Sequence, residues 1–282
     1  MFNAGGARMD YIKITGLKIF AHHGVLPEEK KNGQDFYINA RLFYSMKQPG
    51  KTDDLNDAIN YAQVCAFMTE TFTAQSFDLI EAAAEHLCHA VLLEFSVLQK
   101  IELELCKPHA PIGLPFKDVS VNMTRQWHKA FVAVGSNMGD SGELITNGLK
   151  ELESCPDIRG FKKSSLIVTK PYGPVEQPDF LNGCVSFETL LDPEELLVLL
   201  HEIEAHANRE RKIHWGPRTL DLDIIFYDKL VYESDDLIIP HVDIQNRTFV
   251  LQPLAELAPN ERHPVLGLTV SQMLQALEEN AQ

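Results

Sequence analysis

The chain has 282 residues, a length that favours two domains, each large enough to bury a core of its own. Hydrophobic residues make up 45% of it and charged residues 23%, a balance that excludes a disordered or low-complexity protein. The formal net charge of −15 argues against a general nucleic-acid or anionic-membrane surface, because phosphate groups are held mainly by clustered Lys and Arg.

Targeting signals and cysteine usage predict the cellular location. The opening sequence MFNAGGARMD lacks the apolar core of a signal peptide, and Met9 is a candidate for the natural start. No later run is long and apolar enough to span a bilayer. The 5 cysteines include no CxxC pair and are odd in number, which indicates reduced thiols. We therefore expect a cytoplasmic protein without a membrane partner.

The first half of the chain shows the pattern ββααββ. Apolar residues recur along two predicted strands, residues 11–21 and 35–45. A helix follows, with one face formed by Val64, Phe67, Met68, Thr71 and Phe72. A second helix is predicted to begin at Asp78, because Asp78 and Glu81 have the spacing of a capping box. Two more predicted strands complete the pattern, over residues 100–106 and 118–125.

The second half shows the pattern βαββαβ, which together with the first half predicts an α+β protein. Strands are predicted over residues 130–134, 165–169, 183–190 and 222–227, and the first helix is predicted over residues 144–152. The second helix begins at Asp192, an N-cap residue followed by Pro193, and runs to about residue 208, before C-terminal helices. The junction lacks a Pro, Gly or Ser run, so we predict directly connected domains at residues 9–126 and 127–282.

Two aspartates dominate the chemistry of the second half. Because strand side chains alternate between faces, Asp221 and Asp223 are predicted to lie on the same side of their strand. Positive charge gathers beside them at Arg209, Arg211, Lys212 and Arg218. Paired carboxylates suit Mg²⁺, and arginines suit the phosphates that Mg²⁺ accompanies. The alternative is a solvated strand whose acids pair with the basic loop; the adjoining WGPRT sequence favours the metal.

Four segments of the second half resemble 6-hydroxymethyl-7,8-dihydropterin pyrophosphokinase. They read VGSNMGD, GPVEQPDFLN, WGPRTLDLDII and IPHVDIQNRTFVLQPL, and together they extend over nearly the whole half. The resemblance implies a ferredoxin-like α+β domain that moves the pyrophosphate of ATP onto the hydroxymethyl group of the pterin and releases AMP. It also implies two Mg²⁺ ions bound by Asp221 and Asp223.

The same resemblance implies roles for individual residues. Arg209 and Arg218 match catalytic-loop arginines. Positions that bind ATP or close the site are matched by Glu204, Arg211, Trp215, Ile224, His241 and Arg247. The pterin pocket is matched by Thr169, Pro171, Tyr172, Phe180, Asn182 and Phe249. Taken singly, His241, Phe180 and Phe249 could equally be core residues.

Four segments of the first half resemble dihydroneopterin aldolase, over roughly residues 9–125. They read AHHGVLPEEKKNGQDF, AINYAQV, FDLIEAAAEHL and LCKPHAPI, in the order and spacing of that family. The resemblance implies a tunnelling fold (T-fold) whose subunits assemble around a barrel, as a tetramer or an octamer. It implies retro-aldol cleavage of 7,8-dihydroneopterin to glycolaldehyde and 6-hydroxymethyl-7,8-dihydropterin, with no metal or other cofactor.

In that family, Lys107 matches the proton-transfer residue and Tyr61 a residue that assists it. Glu29 would orient Lys107 or the leaving diol, while Glu81 and Ile80 would bind the substrate, with Glu81 as the anchor of the pterin. Two of these residues have simpler readings. Glu81 could cap its helix, and a lysine before proline is often only a charge at the end of a strand.

The histidines of the first half are a weaker signal. A zinc site could be built from His22, His23, His86 and His89, but we favour a structural role in a turn for His23.

The leading hypothesis is a bifunctional enzyme of folate biosynthesis, because the predicted product of the first half is the predicted substrate of the second. One alternative makes the first half a pterin epimerase. Another makes it an inactive oligomerisation scaffold that carries the pyrophosphokinase. The joint presence of Lys107, Tyr61, Glu29 and Glu81 argues against a scaffold, which would need none of them.

Overall fold

The computed structural model describes residues 9–171, 177–207 and 218–280. The chain divides into two units, and the boundary along the chain lies between Trp127 and His128. Each unit combines helices with an antiparallel sheet, which confirms the α+β class. Within the described ranges, every helix is too short or too polar to cross a membrane. Some predicted site residues lie outside the described residues: Tyr172, Arg209, Arg211, Lys212 and Trp215.

The first unit is a four-stranded sheet in the order β1-β2-β3-β4, with its two long helices between β2 and β3. The strands are β1 (Tyr11–Ala21), β2 (Gln34–Phe43), β3 (Lys100–Cys106) and β4 (Ser120–Gln126). The helices are α1 (Pro27–Asn32), α2 (Pro49–Thr52), α3 (Tyr61–Ala74) and α4 (Ile80–Glu94). The observed order matches the predicted ββααββ pattern, with two short helices added.

The alternation of side chains gives this sheet one apolar and one polar face. Residues such as Ile38 and Leu103 are buried, and α3 and α4 contact the sheet through β1, β3 and β4. The intervening residues are polar, and Asn39 Nδ2 donates to Glu104 Oε2 across the β2–β3 pair at 2.9 Å. The first unit therefore carries a hydrogen-bonded polar face opposite its core.

The start of α4 differs from the sequence prediction. The helix begins at Ile80 with Leu79 as its N-cap, and no side chain caps it. Asp78 instead pairs with Lys30 Nζ at 2.6 Å, on the surface. The predicted capping box was wrong because an ion pair from a distant part of the chain competes for the Asp78 carboxylate. Glu81, in the first turn and exposed, has no capping role.

The second unit has a sheet in the order β6-β8-β5-β9, all antiparallel, with β7 also paired to β8. Its main strands are β5 (His128–Ser136), β6 (Ile158–Lys163), β7 (Ile167–Thr169), β8 (Phe180–Thr189) and β9 (Asp221–Tyr227). A small hairpin is formed by β10 (Tyr232–Glu233) and β11 (Ile238–Ile239). The helices are α5 (Ser141–Glu153), α6 (Pro193–His206), α7 (Thr248–Leu257) and α8 (Val270–Asn280).

Two hydrophobic clusters lie on opposite faces of this sheet. One contains Val134 and Leu222 and packs against α5 and α6. The other contains Phe131 and Ile225 and packs against α7 and α8. The predicted N-cap at Asp192 is confirmed, since its carboxylate accepts the backbone N–H of the third helical residue. Strand β9 therefore has a core on both sides, which fixes its orientation.

Strand β6 was not predicted from the sequence. Its residues, IRGFKK, are mostly polar, and Gly160 has a positive φ of 66° where the pairing with β8 shifts register. An irregular strand of this kind breaks the apolar alternation on which strand prediction depends. The pairing with β8, which is distant in sequence, makes it a strand.

Candidate functional site

Three strands of the second unit bring the predicted pterin and metal residues into one row. In the paired registers, Asn182 of β8 lies opposite Gly135 of β5, and Gly135 lies opposite Asp221 of β9. Directly paired residues project from the same face of a sheet. With strands about 4.8 Å apart, the main chains of Asn182 and Asp221 are about 10 Å apart. Gly135 contributes no side chain between them.

The missing side chain at Gly135 is a requirement of this row. A Cβ built at Gly135 would lie 2.7 Å from Asn182 Oδ1, closer than real Cβ contacts allow. Asn182 is buried, and its Nδ2 donates to Thr169 Oγ1 at 2.7 Å. The amide group is therefore held in one orientation, with its oxygen over the glycine.

Asp221 and Asp223 lie on the same face of β9, as predicted, while Leu222 between them is buried in the opposite core. Each aspartate has an arginine close by. Arg218 Nη1 contacts Asp221 Oδ2, and Arg247 Nη1 lies 3.9 Å from Asp223 Oδ2. The site therefore joins two carboxylates and two guanidinium groups.

His241 extends this cluster and is neutral in it. Its Nδ1 accepts the backbone N–H of Asp243 at 3.2 Å, and its Nε2 lies 3.4 Å from Arg247 Nη1. Burial and the neighbouring Arg247 lower the pKa of His241 to about 4. Arg247 Nε also donates to Asp243 Oδ2 at 3.3 Å, so Asp243 forms hydrogen bonds with both His241 and Arg247. Sequence analysis gave no role to Asp243.

The donor set at Asp221 and Asp223 fits Mg²⁺. Both groups are hard carboxylate oxygens on one strand face, whereas thiolate and additional imidazole donors would favour zinc. Among the described residues, no three His, Cys, Asp or Glu side chains form a metal cage. Two carboxylates without a complete cage suit an ion that takes its remaining ligands from phosphate and water.

The other predicted residues of the second unit are distributed as follows. Thr169 and Phe180 are paired across β7 and β8, beside Asn182, and Pro171 is partly buried just beyond Thr169. Phe249, near the start of α7, packs against the cluster around Phe131, and the Arg247 guanidinium lies 5.9 Å from its ring centre. Thr169 and Phe180 therefore lie at the Asn182 end of the row.

Two residues with a predicted ATP role lie on the core side of β9. The side chain of Ile224 is buried against α5 and α6, opposite the aspartates, which leaves its main chain for any ATP contact. Glu204 of α6 is also buried, and its Oε1 accepts the backbone N–H of Leu222 at 2.8 Å. Glu204 therefore contacts the strand between the two aspartates.

Asn137 was quoted within a motif but given no role by sequence analysis. Its Oδ1 accepts the Arg218 N–H at 2.8 Å, and its own N–H donates to the Arg218 carbonyl oxygen at 3.1 Å. Its Nδ2 donates to Gln177 Oε1 and to the Pro178 carbonyl oxygen. A polar residue directly after an apolar strand is the sequence signal that could have identified Asn137, which is buried in the structure.

The first unit holds a second cluster, around a buried ion pair. Lys107, just after β3, places its Nζ 2.6 Å from Glu29 Oε1, and both side chains are 9% exposed. Glu29 also accepts hydrogen bonds from Gln34 Nε2 and the Leu26 N–H, each at 3.1 Å. Burial alone would raise the pKa of Glu29, but these donors outweigh it and lower the pKa. The carboxylate is therefore held ionised beside the lysine.

Gly24 makes room for that carboxylate. It has a φ of 149°, and a Cβ at this position would lie 2.3 to 2.6 Å from the carboxyl carbon and oxygens of Glu29. Its N–H donates to the Phe77 carbonyl oxygen, which fixes the turn. Gly24 and Gln34 were not identified from the sequence, because their importance depends on where Glu29 lies in the fold.

His23 has the structural role that we favoured. Its Nε2 lies 2.9 Å from the Phe72 carbonyl oxygen, and its Nδ1 accepts the Phe77 N–H at 3.1 Å. Both ring nitrogens are occupied by main-chain atoms, so His23 cannot ligate a metal in this fold. Burial and the nearby Lys107 cation lower its pKa, which keeps the ring neutral.

The remaining predicted residues of the first unit lie at helix starts. Tyr61 is the first residue of α3, Ile80 is the first of α4, and Glu81 follows it. The Tyr61 and Glu81 side chains are exposed. Within the described residues, no hydrogen bond or ion pair joins either of them to Lys107. One copy of the unit therefore holds Lys107 and Glu29 together and presents Tyr61 and Glu81 to its surface.

Comparison with known families assigns a different domain to each unit. Residues 131–259 match the family model of 7,8-dihydro-6-hydroxymethylpterin-pyrophosphokinase, and residues 12–124 match that of dihydroneopterin aldolase. A Pseudomonas aeruginosa 2-amino-4-hydroxy-6-hydroxymethyldihydropteridine pyrophosphokinase is 42% identical over 136 residues, which cover 48% of this chain and 84% of that protein.

Two longer relatives match about half of this chain and nearly all of it, respectively. The bifunctional protein FolKE of Lactococcus lactis is 46% identical over 127 residues, 45% of this chain and 36% of the relative. The folic acid synthesis protein fol1 of Schizosaccharomyces pombe is 33% identical over 283 residues, 95% of this chain and 37% of the relative. The chain therefore spans little more than a third of the length of these two proteins.

Replacing Gly24 by Ala should separate Glu29 from Lys107. The added methyl group would overlap the carboxylate, and displacing one member of a buried ion pair leaves the other uncompensated. We expect the free energy of unfolding of the first unit to fall by about 2 kcal/mol more than in Gly16→Ala. Gly16 has a φ of 68° and no atom within 4 Å of its Cβ position, so it shows the loss that alanine causes at a positive φ without a side-chain overlap; the more restrictive φ of 149° at Gly24 adds to the difference. Urea denaturation measures both, and equal losses would contradict the contact.

The ring of His241 should remain neutral well below its ordinary titration range. Because burial and Arg247 disfavour the charged form, we expect a titration midpoint near pH 4. Long-range proton–nitrogen NMR of the imidazole, with His241→Gln to assign the signal, measures this midpoint. A midpoint near pH 6.5 would contradict the described surroundings of the ring.

Proposed function

Because this chain belongs to the 7,8-dihydro-6-hydroxymethylpterin-pyrophosphokinase family, we propose that its second unit transfers pyrophosphate from ATP to 6-hydroxymethyl-7,8-dihydropterin. The hydroxymethyl oxygen attacks the β-phosphorus of ATP and loses its proton, the bond between the α- and β-phosphoryl groups breaks, and AMP leaves. The ferredoxin-like arrangement proposed for this unit is supported by the strand order β6-β8-β5-β9, with helices after β5 and β8.

The observation that carries this proposal is the row formed by Asn182, Gly135 and Asp221. We place the pterin at the Asn182 end, where the fixed amide and Thr169 can read its polar edge. The phosphates lie at the Asp221 end. Gly135 leaves room for the Asn182 amide, so the row holds the pterin-binding amide and the Asp221 carboxylate at a fixed spacing and aligns the two reactants.

The charged residues at the Asp221 end have complementary proposed roles. Mg²⁺, which the family uses with ATP, would be held by Asp221 and Asp223, and two ions are proposed because the two carboxylates share one face. Arg247 donates to phosphate oxygens, and the neutral His241 ring lies beside it. Arg218, which pairs with Asp221 here, turns to the phosphates when a metal takes its place. The ATP roles of Arg209, Arg211 and Trp215 and the pterin role of Tyr172 stay predictions.

For the first unit we propose retro-aldol cleavage of 7,8-dihydroneopterin to glycolaldehyde and 6-hydroxymethyl-7,8-dihydropterin, in line with its match to the aldolase family. The buried pair of Lys107 and Glu29 supports this activity over a scaffold, because surface or interface lysines do not require such burial. Lys107 moves the proton and Glu29 fixes its position. The buried Oε1 of Gln34, which has no partner among the described residues, offers an acceptor to the substrate.

Assembly completes the proposed aldolase site. Strands β1 and β4 form the two edges of the first sheet, and an edge strand can pair with another chain. We propose that these edges join several copies into a T-fold barrel, as a tetramer or an octamer, with Tyr61, Ile80 and Glu81 at the junctions. The 5 cysteines are all free thiols, which supports the proposed cytoplasmic location.

Product analysis tests the proposal as a whole. The purified chain is incubated with 7,8-dihydroneopterin, with and without ATP and Mg²⁺, and the pterins are identified by mass. We expect glycolaldehyde with the hydroxymethylpterin, and its pyrophosphate with AMP once ATP is added. If dihydroneopterin persists while supplied hydroxymethylpterin is pyrophosphorylated, the aldolase proposal is wrong and the scaffold is favoured. An epimer of dihydroneopterin as the main product would favour the epimerase.

Substitutions should separate the two activities. Lys107→Ala should lower glycolaldehyde release by about 10³-fold, because it removes the proton-transfer group, and should spare AMP formation from supplied hydroxymethylpterin. Asp221→Ala combined with Asp223→Ala should lower AMP formation by at least about 10²-fold and spare the aldolase step. Steady-state assays of both products measure these effects.

Matched surface variants serve as controls. Lys117→Ala removes an exposed lysine of the loop that follows Lys107, and Asp235→Ala with Asp236→Ala removes two exposed acids of the second unit. Both should retain both activities. Retained pyrophosphoryl transfer in the Asp221 and Asp223 double variant would overturn the metal assignment, and retained cleavage in Lys107→Ala would overturn the role of Lys107.

A further inference from the structure

Strand β9 is the outer strand of its sheet, and its free edge is held by a side chain. Strand β5 pairs with one edge of β9. On the other edge, Glu204 Oε1 accepts the main-chain N–H of Leu222 at 2.8 Å, and the carbonyl oxygen of Ile225 accepts the main-chain N–H of His241 at 3.2 Å. The strand segment that carries both aspartates is therefore fixed along both edges.

The position of Glu204 sets it apart from an ordinary surface acid. It is 3% exposed and lies in the last part of α6, which packs its apolar face on the core beneath β9. A buried carboxylate is retained only when its hydrogen bonds offset the cost of desolvation. The bond to Leu222 is such a contact, and Leu222 stands between Asp221 and Asp223 in the chain.

We propose that Glu204 is a positioning residue for the metal-binding carboxylates and does not itself contact ATP. By fixing the Leu222 N–H, it sets the position of the main chain on which Asp221 and Asp223 are carried. Groups that orient metal ligands typically change metal affinity by about 10- to 100-fold when removed. This inference rests on the metal site of the proposed function and replaces the ATP contact that the family resemblance implies for Glu204.

Three substitutions distinguish hydrogen bonding from charge. Glu204→Gln keeps an acceptor at the same reach and removes the charge. Glu204→Asp keeps the charge but withdraws the oxygens by about 1.5 Å, too far for the 2.8 Å bond. Glu204→Ala removes both. If position is what matters, Gln should preserve the metal site, whereas Asp and Ala should impair it.

The experiment measures binding of Mn²⁺ to the full-length chain by electron paramagnetic resonance, with a non-hydrolysable ATP analogue present. We expect Glu204→Ala and Glu204→Asp to weaken Mn²⁺ binding about tenfold, and Glu204→Gln to remain within about threefold of the parent. Hydrogen–deuterium exchange should show faster exchange of the Leu222 amide in the Ala and Asp variants only. Glu202→Ala, an exposed acid of the same helix, is the control.

The outcomes separate this inference from the proposed function. Absence of Mn²⁺ binding in the parent chain would overturn the metal site itself. Normal parent binding with parent-like affinity in Glu204→Asp and Glu204→Ala would overturn only the positioning role. If Glu204→Gln is as weak as Glu204→Ala, the charge of Glu204 acts on the metal and the inference is wrong. Should Glu204→Ala fail to fold, the contrast between Gln and Asp decides.

Discussion

The second unit depends on the pairing of β5 with a neighbour on each side at Gly135. Strand β5 pairs with β8 on one side and with β9 on the other. The register of the first pair places Asn182 opposite Gly135, and the register of the second places Asp221 opposite the same glycine. A one-residue slip in either pair would turn the corresponding side chain to the other face, since strand side chains alternate. The hydrophobic cores on both faces resist such a slip, so core packing specifies the distance between the Asn182 end and the Asp221 end of the row.

Electrostatic repulsion explains why arginines lie next to the two aspartates of this site. Two carboxylates on one strand face repel each other unless a cation lies between them, and Arg218 and Arg247 supply positive charge next to Asp221 and Asp223. The same arginines suit phosphate, so in the proposed reaction a metal–nucleotide complex would exchange partners within the cluster. A neutral His241 lies beside Arg247 without adding a second positive charge.

The first unit also pairs opposite charges, but there the charged pair is buried. Lys107 and Glu29 are held together by contacts from Gln34 and the main chain, in a space that only a glycine at position 24 leaves open. Such a pair gives the lysine a defined position, which proton transfer requires. The exposed Tyr61 and Glu81 lie apart from this pair within one copy of the unit, and this separation is the reason for proposing that assembly of several copies completes the aldolase site.

Local patterns in the sequence were sufficient for the α+β class, most of the strands, the N-cap at Asp192 and the shared face of Asp221 and Asp223, because they depend on periodicities of two and 3.6 residues. They failed where partners distant in the chain compete: Asp78 pairs with Lys30 and does not cap α4, and β6 exists because β8 pairs with it. Only the tertiary structure decided which glycines admit a neighbouring side chain, and only it placed the Glu204 carboxylate on the Leu222 N–H. Contacts between residues far apart in sequence depend on strand register and packing, which no local pattern encodes.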